Sequence, residues 1–344
     1  MPSEPAAQAD SVPPHVRLIE MGTASWITMI IHGAARIGLA DHFDGGKKTA
    51  EELAGPTGTH APSLRRLMRT LAGLGVLVEG PPGEFALTPL GEALKSGAPG
   101  SARASILSLA GDRFWRSMGE FPYALQTGKP AHVKAHGLPL FDWLTKHPEE
   151  AALFSETMMG FHGREPAALA AAYDFSKFGT LVDVGGATGH LLTTVLGRYP
   201  GLRGVLFDMP YVERNARELI ASRGLSDRIS ISTGSFFDAV PPGGDAYLLS
   251  HIIHDWTEEQ CLKILGNCRK VMKPDGKLLI VEMVLPPGNT MHPGKILDMI
   301  MLVGPGGQER TEEEYRELLG KAGFRQTRVV PTESAVSVVE GVLA

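Results

Sequence analysis

The chain has 344 residues, of which 33 are basic and 38 acidic, and its formal net charge is -5 at pH 7. This length allows two domains with a substantial core. A chain with this net charge is not a polycation that binds nucleic acid or an anionic membrane through its overall charge. We therefore expect a protein that acts on a small molecule.

Nothing in the sequence resembles a signal peptide or a membrane-spanning helix. The apolar stretch 27–39 is short and contains His32 and Arg36. Cys261 and Cys268 are the only cysteines and fall in one predicted helix, roughly 10 Å apart along its axis, so they cannot form a disulfide there. We therefore expect a protein of the reducing cytoplasm.

Residues 1–14 are rich in Pro, Ala and Ser, a composition that predicts a disordered N-terminus. From Val16 to His42 the apolar residues follow helical spacing and include Trp26 and Met29. So much apolar surface on an N-terminal helix predicts burial against a partner subunit.

Residues 15–100 predict a winged-helix-like domain. Residues 49–52 form a capping box that starts one helix, residues 63–74 predict a second, and short strands flank a Gly-Pro-Pro-Gly turn at 80–83. This arrangement can serve either dimerisation or DNA binding.

DNA binding would use Arg65, Arg66 and Arg69. However, residues 15–100 contain eight Lys or Arg and eight Asp or Glu, which sum to zero. A domain that reads phosphates usually carries a basic excess, so the charge balance favours dimerisation.

Residues 101–172 predict several helices, including one over 148–161, and form a helical substrate-pocket region. Methionines and aromatic residues cluster here, just ahead of a glycine-rich loop. Side chains of these types are usually core, but their concentration beside the loop predicts a substrate wall.

The glycine-rich loop lies in residues 181–190, where an apolar run ends in Asp183-Val184 and three glycines precede a helix start. This pattern predicts a strand, a tight turn and a helix. Glycine at the carboxyl end of a strand lets a ligand approach the backbone, although such a turn can also merely pack.

The residues around the loop narrow the choice of ligand. No lysine or arginine occurs between Leu181 and Gly197, which disfavours a triphosphate, and the glycine spacing does not match the dinucleotide pattern. Asp183 suits a positively charged group, and Asp208, at the end of the next predicted strand, is placed to bind two ribose hydroxyls. S-adenosylmethionine, a nucleoside with a cationic tail, has these properties.

Strands and helices alternate through residues 173–344, which predicts a doubly wound, mostly parallel α/β sheet. The last two strands are too close in sequence for a crossover helix and should form an antiparallel pair at the sheet edge. The seven predicted strands are 181–185, 203–208, 229–233, 245–251, 277–284, 324–330 and 335–342.

His254 follows the fourth of these strands, on the same rim as the glycine loop. Glu282, late in the fifth strand, and Glu309, before a helix capped by Thr311 and Glu314, can approach it. A histidine oriented by carboxylates is suited to act as a general base.

A metal site at His251 and His254 is the alternative. Their spacing at a strand end predicts that they do not share a face, and no third ligand is evident in the sequence. We therefore expect no metal.

Five segments together resemble the S-adenosylmethionine-dependent O-methyltransferases of the caffeic acid and acetylserotonin type. The resemblance covers nearly the whole chain from about Val16. The segments are Val182-Asp183-Val184-Gly185-Gly186, Phe207-Asp208-Met209-Pro210, Ile253-His254-Asp255-Trp256, Gly276-Lys277-Leu278-Leu279-Ile280-Val281-Glu282 and Gly307-Gln308-Glu309-Arg310-Thr311.

This resemblance implies a Rossmann-like seven-strand sheet, a winged-helix-like dimerisation domain and a homodimer. It also implies that His254 takes the proton from a substrate hydroxyl, that Glu282 and Glu309 bracket its ring, and that Asp255 lies near the base or the substrate. The implied cofactor contacts are Asp183, Gly185, Gly186, Asp208, Met209, Ser235, Phe236, Ser250 and Trp256. The implied substrate contacts are Met159, His162 and Met301.

Three residues depart from the family pattern. Ala187 replaces a third loop glycine and should adopt a negative φ. Ser235 stands where relatives commonly have aspartate, and Ser250 where plant members have lysine, so the contacts to adenine should differ.

The sequence thus predicts methyl transfer to the phenolic hydroxyl of an aromatic natural product, in bacterial secondary metabolism such as antibiotic biosynthesis. The acceptor and the site of methylation are left open. Three alternatives also stay open: a metabolite-sensing winged-helix DNA-binding regulator, a hydroxylase or decarboxylase that binds the cofactor without consuming it, and a purely structural homologue.

Overall fold

A computed structural model describes residues 12–81, 83–161 and 163–344. The chain divides into two compact units. The first comprises the described residues up to Trp115 together with Glu149–Gly160, and the second comprises Arg116–Pro148 and Phe161–Ala344. The helical segment 101–172 is therefore shared between the two units.

The first unit begins with helices and contains a small hairpin. Disorder was predicted for residues 1–14. Residues 1–11 lie outside the described part of the chain, and helix α1 begins at Pro14. The hairpin pairs β1 (Leu77–Gly80) with β2 (Glu84–Leu87) in antiparallel fashion. The helices are α1 (Pro14–Thr23), α2 (Ser25–Arg36), α3 (Ala50–Ala54), α4 (Ala61–Gly73), α5 (Pro89–Glu92) and α6 (Arg103–Leu109).

The capping box predicted at Thr49 is confirmed. The Thr49 hydroxyl accepts the Glu52 N–H at 3.3 Å, and the Glu52 carboxylate accepts the Thr49 N–H at 2.7 Å. These bonds satisfy two amide groups that the first turn of α3 leaves without helical partners.

Helices α1 and α2 expose an apolar surface. Trp26 is 68% exposed, and five further apolar side chains in this stretch are also exposed. These are Leu18, Ile19, Met21, Ile27 and Met29. Exposed side chains of this size, grouped on neighbouring helices, indicate a surface that a partner covers.

Six further helices precede the sheet in the chain, and α11 among them lies almost entirely in the first unit. They are α7 (Asp112–Gly119), α8 (Phe121–Thr127), α9 (Ala131–His136), α10 (Leu140–Thr145), α11 (Pro148–Phe161) and α12 (Glu165–Ala172). The helices of the sheet region are α13 (His190–Arg198), α14 (Glu213–Ser222), α15 (Glu258–Val271), α16 (Pro293–Val303) and α17 (Glu312–Lys321).

All seven predicted strands are present in the described part of the chain. They are β3 (Thr180–Val184), β4 (Arg203–Asp208), β5 (Ile229–Thr233), β6 (Ala246–Ser250), β7 (Lys277–Glu282), β8 (Phe324–Pro331) and β9 (Ser337–Leu343). The sheet order is β5-β4-β3-β6-β7-β9-β8. The first five strands are parallel, and the antiparallel pair β8 and β9 lies at the edge, as predicted.

The core lies on both faces of this sheet because side chains alternate along each strand. In β3, Leu181 contributes to one apolar cluster, whereas Val182 and Val184 contribute to the other. Cys261 and Cys268 are buried in α15 as free thiols. Among the described residues, no helix is long and apolar enough to cross a membrane.

Glu340 is a buried carboxylate in β9 that ties the sheet to the segment before β3. Its oxygens accept the hydroxyl groups of Tyr173 at 2.6 Å and Thr327 at 2.7 Å, and the Arg328 guanidinium at 2.9 Å. Burial alone would raise its pKa, but these hydrogen bonds outweigh burial and lower the pKa to about 2.

We expect Glu340→Ala to destabilise the protein by about 2 kcal/mol, since the buried Tyr173 hydroxyl loses its hydrogen-bond acceptor. Because the folded-state pKa is depressed, the stabilisation by Glu340 is present above its usual pKa and is lost as pH falls towards about 2. Urea unfolding followed by circular dichroism measures both effects. The exposed Glu333→Ala is the control, and an equal change in both variants would contradict the assignment.

Candidate active site

The glycine loop connects β3 to α13 and has no room for side chains at two positions. Gly185 has φ 76°, and a Cβ there would lie 2.5 Å from Cδ1 of Ile252. A Cβ on Gly186 would lie 2.4 Å from Oδ2 of Asp183. Both glycines are therefore required by the local packing.

Asp183 lies beneath this loop, with only 1% of its surface exposed. Neither carboxylate oxygen has a hydrogen-bond partner among the described residues. Burial, and secondarily the charge of Asp208, raises the pKa of Asp183 to about 7. A buried carboxylate in this state favours a ligand that brings positive charge.

Asp208 ends β4 and is held by two backbone amides. Its Oδ2 accepts the N–H of Ala187 at 2.7 Å, and its Oδ1 accepts the N–H of Met209 at 2.6 Å. Burial raises the pKa of Asp208, and these two hydrogen bonds oppose that effect. Since each carboxylate oxygen can accept more than one hydrogen bond, Asp208 can still bind two hydroxyl groups.

The expected negative φ at Ala187 is wrong. Ala187 has φ 48°, in the left-handed region. This conformation accompanies the hydrogen bond from its N–H to Asp208, which lies across the loop. Ala187 therefore holds a left-handed conformation that costs an alanine more than a glycine.

The segment after β5 lies beside the glycine loop. Cε1 of Phe236 would be 3.5 Å from a Cβ on Gly185. The Ser235 hydroxyl accepts the N–H of Phe237 at 3.2 Å, and Asn267 donates to the carbonyl oxygens of Phe236 and Phe237 at 2.9 and 3.0 Å. Asn267, which the sequence analysis missed, thus fixes this segment from α15.

Trp256 belongs to an aromatic group next to this segment. Its ring centroid lies 5.9 Å from that of Phe236, 4.8 Å from that of Phe237 and 5.3 Å from that of Phe141. Ser250, the last residue of β6, is partly buried and pairs with Val281.

His254 is almost fully buried, with 6% of its surface exposed. Its Nδ1 lies 2.6 Å from Oε1 of Glu309, and its Nε2 lies 3.7 Å from Oδ1 of Asp255. A carboxylate accepts from Nδ1–H, which leaves Nε2 as the nitrogen able to accept a proton.

One carboxylate oxygen of Glu282 lies within 4.8 Å of a ring nitrogen of His254, but the hydrogen bonds of Glu282 go to the backbone of the turn and to Tyr315. Oε1 of Glu282 accepts the backbone N–H groups of Ile253 at 2.7 Å and His254 at 3.1 Å, and its Oε2 accepts the Tyr315 hydroxyl at 2.6 Å. Glu282 therefore fixes the backbone that carries the histidine. The buried Tyr315 gave no signal in the sequence because its partner is remote along the chain.

Arg310 also supports this turn. The buried guanidinium donates to the carbonyl oxygens of Ile253 and Gln308, at 3.2 Å each. It thereby joins the segment that carries Glu309 to the turn that carries His254.

The charges around His254 determine its protonation. Burial alone would lower its pKa, but the charges of Asp255, Glu282 and Glu309 outweigh burial and raise the pKa to about 10. Burial raises the pKa of Glu309 in turn. In the ligand-free chain these carboxylates therefore favour the imidazolium form of His254.

Three side chains, His254 among them, are close enough together to be considered as a metal site. One potential ligand atom each of His254, Glu282 and Glu309 lies within 4.8 Å of the others. However, both oxygens of Glu282 already accept hydrogen bonds from the backbone of the turn and from Tyr315, and one oxygen of Glu309 is bonded to His254. The expectation that His251 and His254 do not share a face is wrong, because their ring centroids are 5.2 Å apart.

Of the remaining predicted residues, Met209 is 41% exposed beside Asp208 and Met301 is buried in α16. Met159 falls in α11, but its side chain is outside the described part of the structure. His162 is not among the described residues.

Two family models match this chain. The model of the O-methyltransferase domain matches residues 115–325, and the model of the O-methyltransferase dimerisation domain matches residues 19–97.

Individual relatives are similar over almost the whole chain. The phenazine O-methyltransferase of Lysobacter antibioticus is 42% identical, over 97% of this chain and 97% of its own. The phenazine-1-carboxylate N-methyltransferase of Pseudomonas aeruginosa is 32% identical, over 93% and 96%. A solved O-methyltransferase from neocarzinostatin biosynthesis, in complex with S-adenosylmethionine and 2-hydroxy-5-methyl naphthoic acid, is 32% identical, with a TM-score of 0.81 over 92% of this chain and 96% of its own.

We expect Ala187→Gly to stabilise the protein by about 0.5 kcal/mol. Glycine relieves about 1 kcal/mol or more of left-handed strain but loses part of this through its freer unfolded state. Ala152→Gly, at an exposed position inside α11, is the matched control and should destabilise by about 1 kcal/mol. Chemical unfolding measures both, and the same sign in the two variants would contradict strain at Ala187.

Proposed function

Since this chain belongs to the O-methyltransferase family, we propose that it transfers the methyl group of S-adenosylmethionine to a hydroxyl group of a small aromatic natural product, with His254 as the general base. The observation that carries this proposal is that the glycine loop and the turn with His254 are in contact. Ile252 packs against Gly185 of the glycine loop, and His254 follows only two residues later.

The residues at the glycine loop fit the cofactor. Gly185 and Gly186 form a tight turn with no room for side chains, Asp183 is a buried carboxylate without a hydrogen-bond partner among the described residues, and Asp208 presents fixed oxygens. S-adenosylmethionine, when bound, supplies a methyl group activated by a sulfonium charge. Asp208 would hold the ribose hydroxyls, and Phe236 and Trp256 would offer aromatic surface to the adenine.

His254 would remove the proton from the acceptor hydroxyl at Nε2. A phenol has a pKa near 10 and is a poor nucleophile at neutral pH, so a positioned base accelerates the reaction by about 10²- to 10⁴-fold. Glu309 would hold the ring in orientation through Nδ1 and stabilise the imidazolium that forms. Glu282 would act indirectly, by fixing the backbone of the turn.

The raised pKa of His254 opposes its action as a base in the ligand-free site. Three carboxylates stabilise the protonated ring. A ligand that carries positive charge would offset part of their field, so we expect the pKa of His254 to fall when the cofactor is bound.

A hydroxyl group is a better acceptor for this site than a nitrogen. The similar phenazine-1-carboxylate enzyme is named as an N-methyltransferase, so the family includes both acceptors. A neutral aromatic nitrogen can attack without first losing a proton, whereas a hydroxyl group gains from a base. The oriented His254 and Glu309 pair therefore supports O-methylation.

An aromatic acceptor is supported by the side chains near the base. Phe141 and Trp256 form an aromatic pair, and Asp255 and Trp256 directly follow His254 in the chain. Relatives that act on phenazines and a similar structure that binds a naphthoic acid support fused aromatic rings with a hydroxyl group. Met301 would line the same pocket.

We further propose that the chain acts as a homodimer in the cytoplasm. The exposed apolar side chains of α1 and α2 fall within or beside the segment that matches the dimerisation model. A second copy of the chain would cover this surface. The buried free thiols of Cys261 and Cys268 support a reducing compartment.

His254→Ala should lower kcat by about 10²-fold or more, because general base assistance is lost. The assay supplies S-adenosylmethionine with hydroxyphenazines, hydroxynaphthoates and hydroxybenzoates and quantifies methylated product by mass spectrometry. Wild-type kcat should increase with pH above 7, as the imidazolium loses its proton, and the variant should lose this dependence. His60→Ala, an exposed histidine, is the control, and wild-type turnover by His254→Ala would remove the base from the mechanism.

Cofactor affinity should increase as pH rises through about 7, because ionised Asp183 attracts a cationic ligand. Calorimetric titration from pH 6 to pH 8 measures this. S-adenosylhomocysteine lacks the sulfonium charge and should show the weaker dependence. Asp183→Asn should abolish it, with exposed Asp238→Asn as the control, and an unchanged pH dependence in Asp183→Asn would assign it to another group.

A further inference from the structure

His251 and Glu165 form a largely buried pair that the proposed reaction does not use. Nε2 of His251 lies 2.8 Å from Oε2 of Glu165, and both side chains are 11% exposed. His251 is the first residue after β6, and Glu165 is the first residue of α12.

The backbone of His251 is left-handed, with φ 53°. This conformation is uncommon for a residue with a side chain, although histidine adopts it more readily than most. Such a residue persists only where its surroundings over-determine it, and residues of this kind concentrate at functional sites.

His251 lies where the chain leaves β6 and enters the turn 251–255, which carries His254 and is called the catalytic turn below. The N–H of His251 donates to the carbonyl oxygen of Val281 at 3.1 Å, next to the last ladder pair of β6 and β7. Two and three residues later, the N–H groups of Ile253 and His254 meet the Glu282 carboxylate. The direction taken at His251 therefore decides whether these amides reach Glu282.

Glu165 is a fixed point from which the ring of His251 can be held. Leu169 and Ala170, one turn further along α12, are buried in the core on one face of the sheet. The hydrogen bond between Glu165 and the imidazole ring of His251 thus connects the left-handed residue to a helix that is anchored in the hydrophobic core.

We propose that His251 is a positioning residue for His254, because its hydrogen bond to Glu165 holds the left-handed turn that presents His254 to Glu282 and Glu309. The inference rests on the proposed role of His254 as the base. A small displacement of a catalytic group is costly to the rate, whereas binding of the cofactor at the glycine loop does not require the base. The pair therefore acts on turnover and leaves cofactor affinity intact.

Two substitutions at His251 test the turn. Valine is β-branched and disfavours the left-handed region, whereas asparagine adopts it readily. We expect His251→Val to lower kcat at least tenfold and His251→Asn to stay within about threefold of wild type. The methyl acceptor in these assays is whichever of the hydroxyphenazines, hydroxynaphthoates and hydroxybenzoates wild type turns over fastest. In both variants the KM for this acceptor should change less than kcat.

Asp44→Val is the matched control for backbone strain. Asp44 is an exposed residue with φ 45°, remote in sequence from the catalytic turn. It should lose stability in thermal unfolding but keep wild-type kcat. S-adenosylhomocysteine affinity, measured by calorimetry, should stay within about threefold in all these variants.

Glu165→Ala tests the connection to α12. It should lower kcat in the wild-type background but not in the His251→Asn background, where the turn no longer depends on the ring. Additive losses in the double variant would overturn the connection.

Wild-type kcat in His251→Val would overturn the proposal, and so would equal losses in His251→Val and His251→Asn, which would assign the effect to the ring itself. A parallel loss of S-adenosylhomocysteine affinity would show that the turn at His251 shapes the glycine loop, through Ile252, and would also overturn the proposal. Failure of the proposed function is distinguishable, because His254→Ala would then retain turnover.

Discussion

The Glu282 carboxylate organises the active site from the end of β7. It accepts two successive backbone amides of the turn that carries His254 and the hydroxyl group of Tyr315 from α17. Arg310 binds the carbonyl oxygen of the same turn and lies next to Glu309, which holds the imidazole ring. Because one carboxylate joins a strand end, a turn and a helix, His254, the proposed base, is fixed by the sheet rather than by a loop.

Negative charge dominates both parts of the site. Asp183 and Asp208 lie at the glycine loop, and three carboxylates surround His254. Burial raises the pKa of Asp183, whereas the charges of the neighbouring carboxylates raise the pKa of His254. A cationic cofactor would offset part of this negative charge.

The sequence predicted the sheet well because the signals for a buried parallel sheet are local. Apolar runs of five to eight residues, separated by helices with capping boxes, indicate strand and helix directly, and the short connection before β9 required an antiparallel edge. The carboxyl ends of neighbouring parallel strands meet at one rim, so Asp183, Asp208 and His254 could be assigned to a common site. The family resemblance added the reaction, which composition and spacing do not give.

By itself, then, the sequence determined the seven strands, the cofactor class and the residues gathered at one rim. Only the tertiary structure decided how those residues act. Glu282 binds amides rather than the ring, Ala187 is left-handed, and His251 turns back to Glu165 and approaches His254. Each of these depends on a single backbone dihedral or on a partner dozens of residues away. Periodicity reports which face of an element is buried, but it carries no information about such contacts.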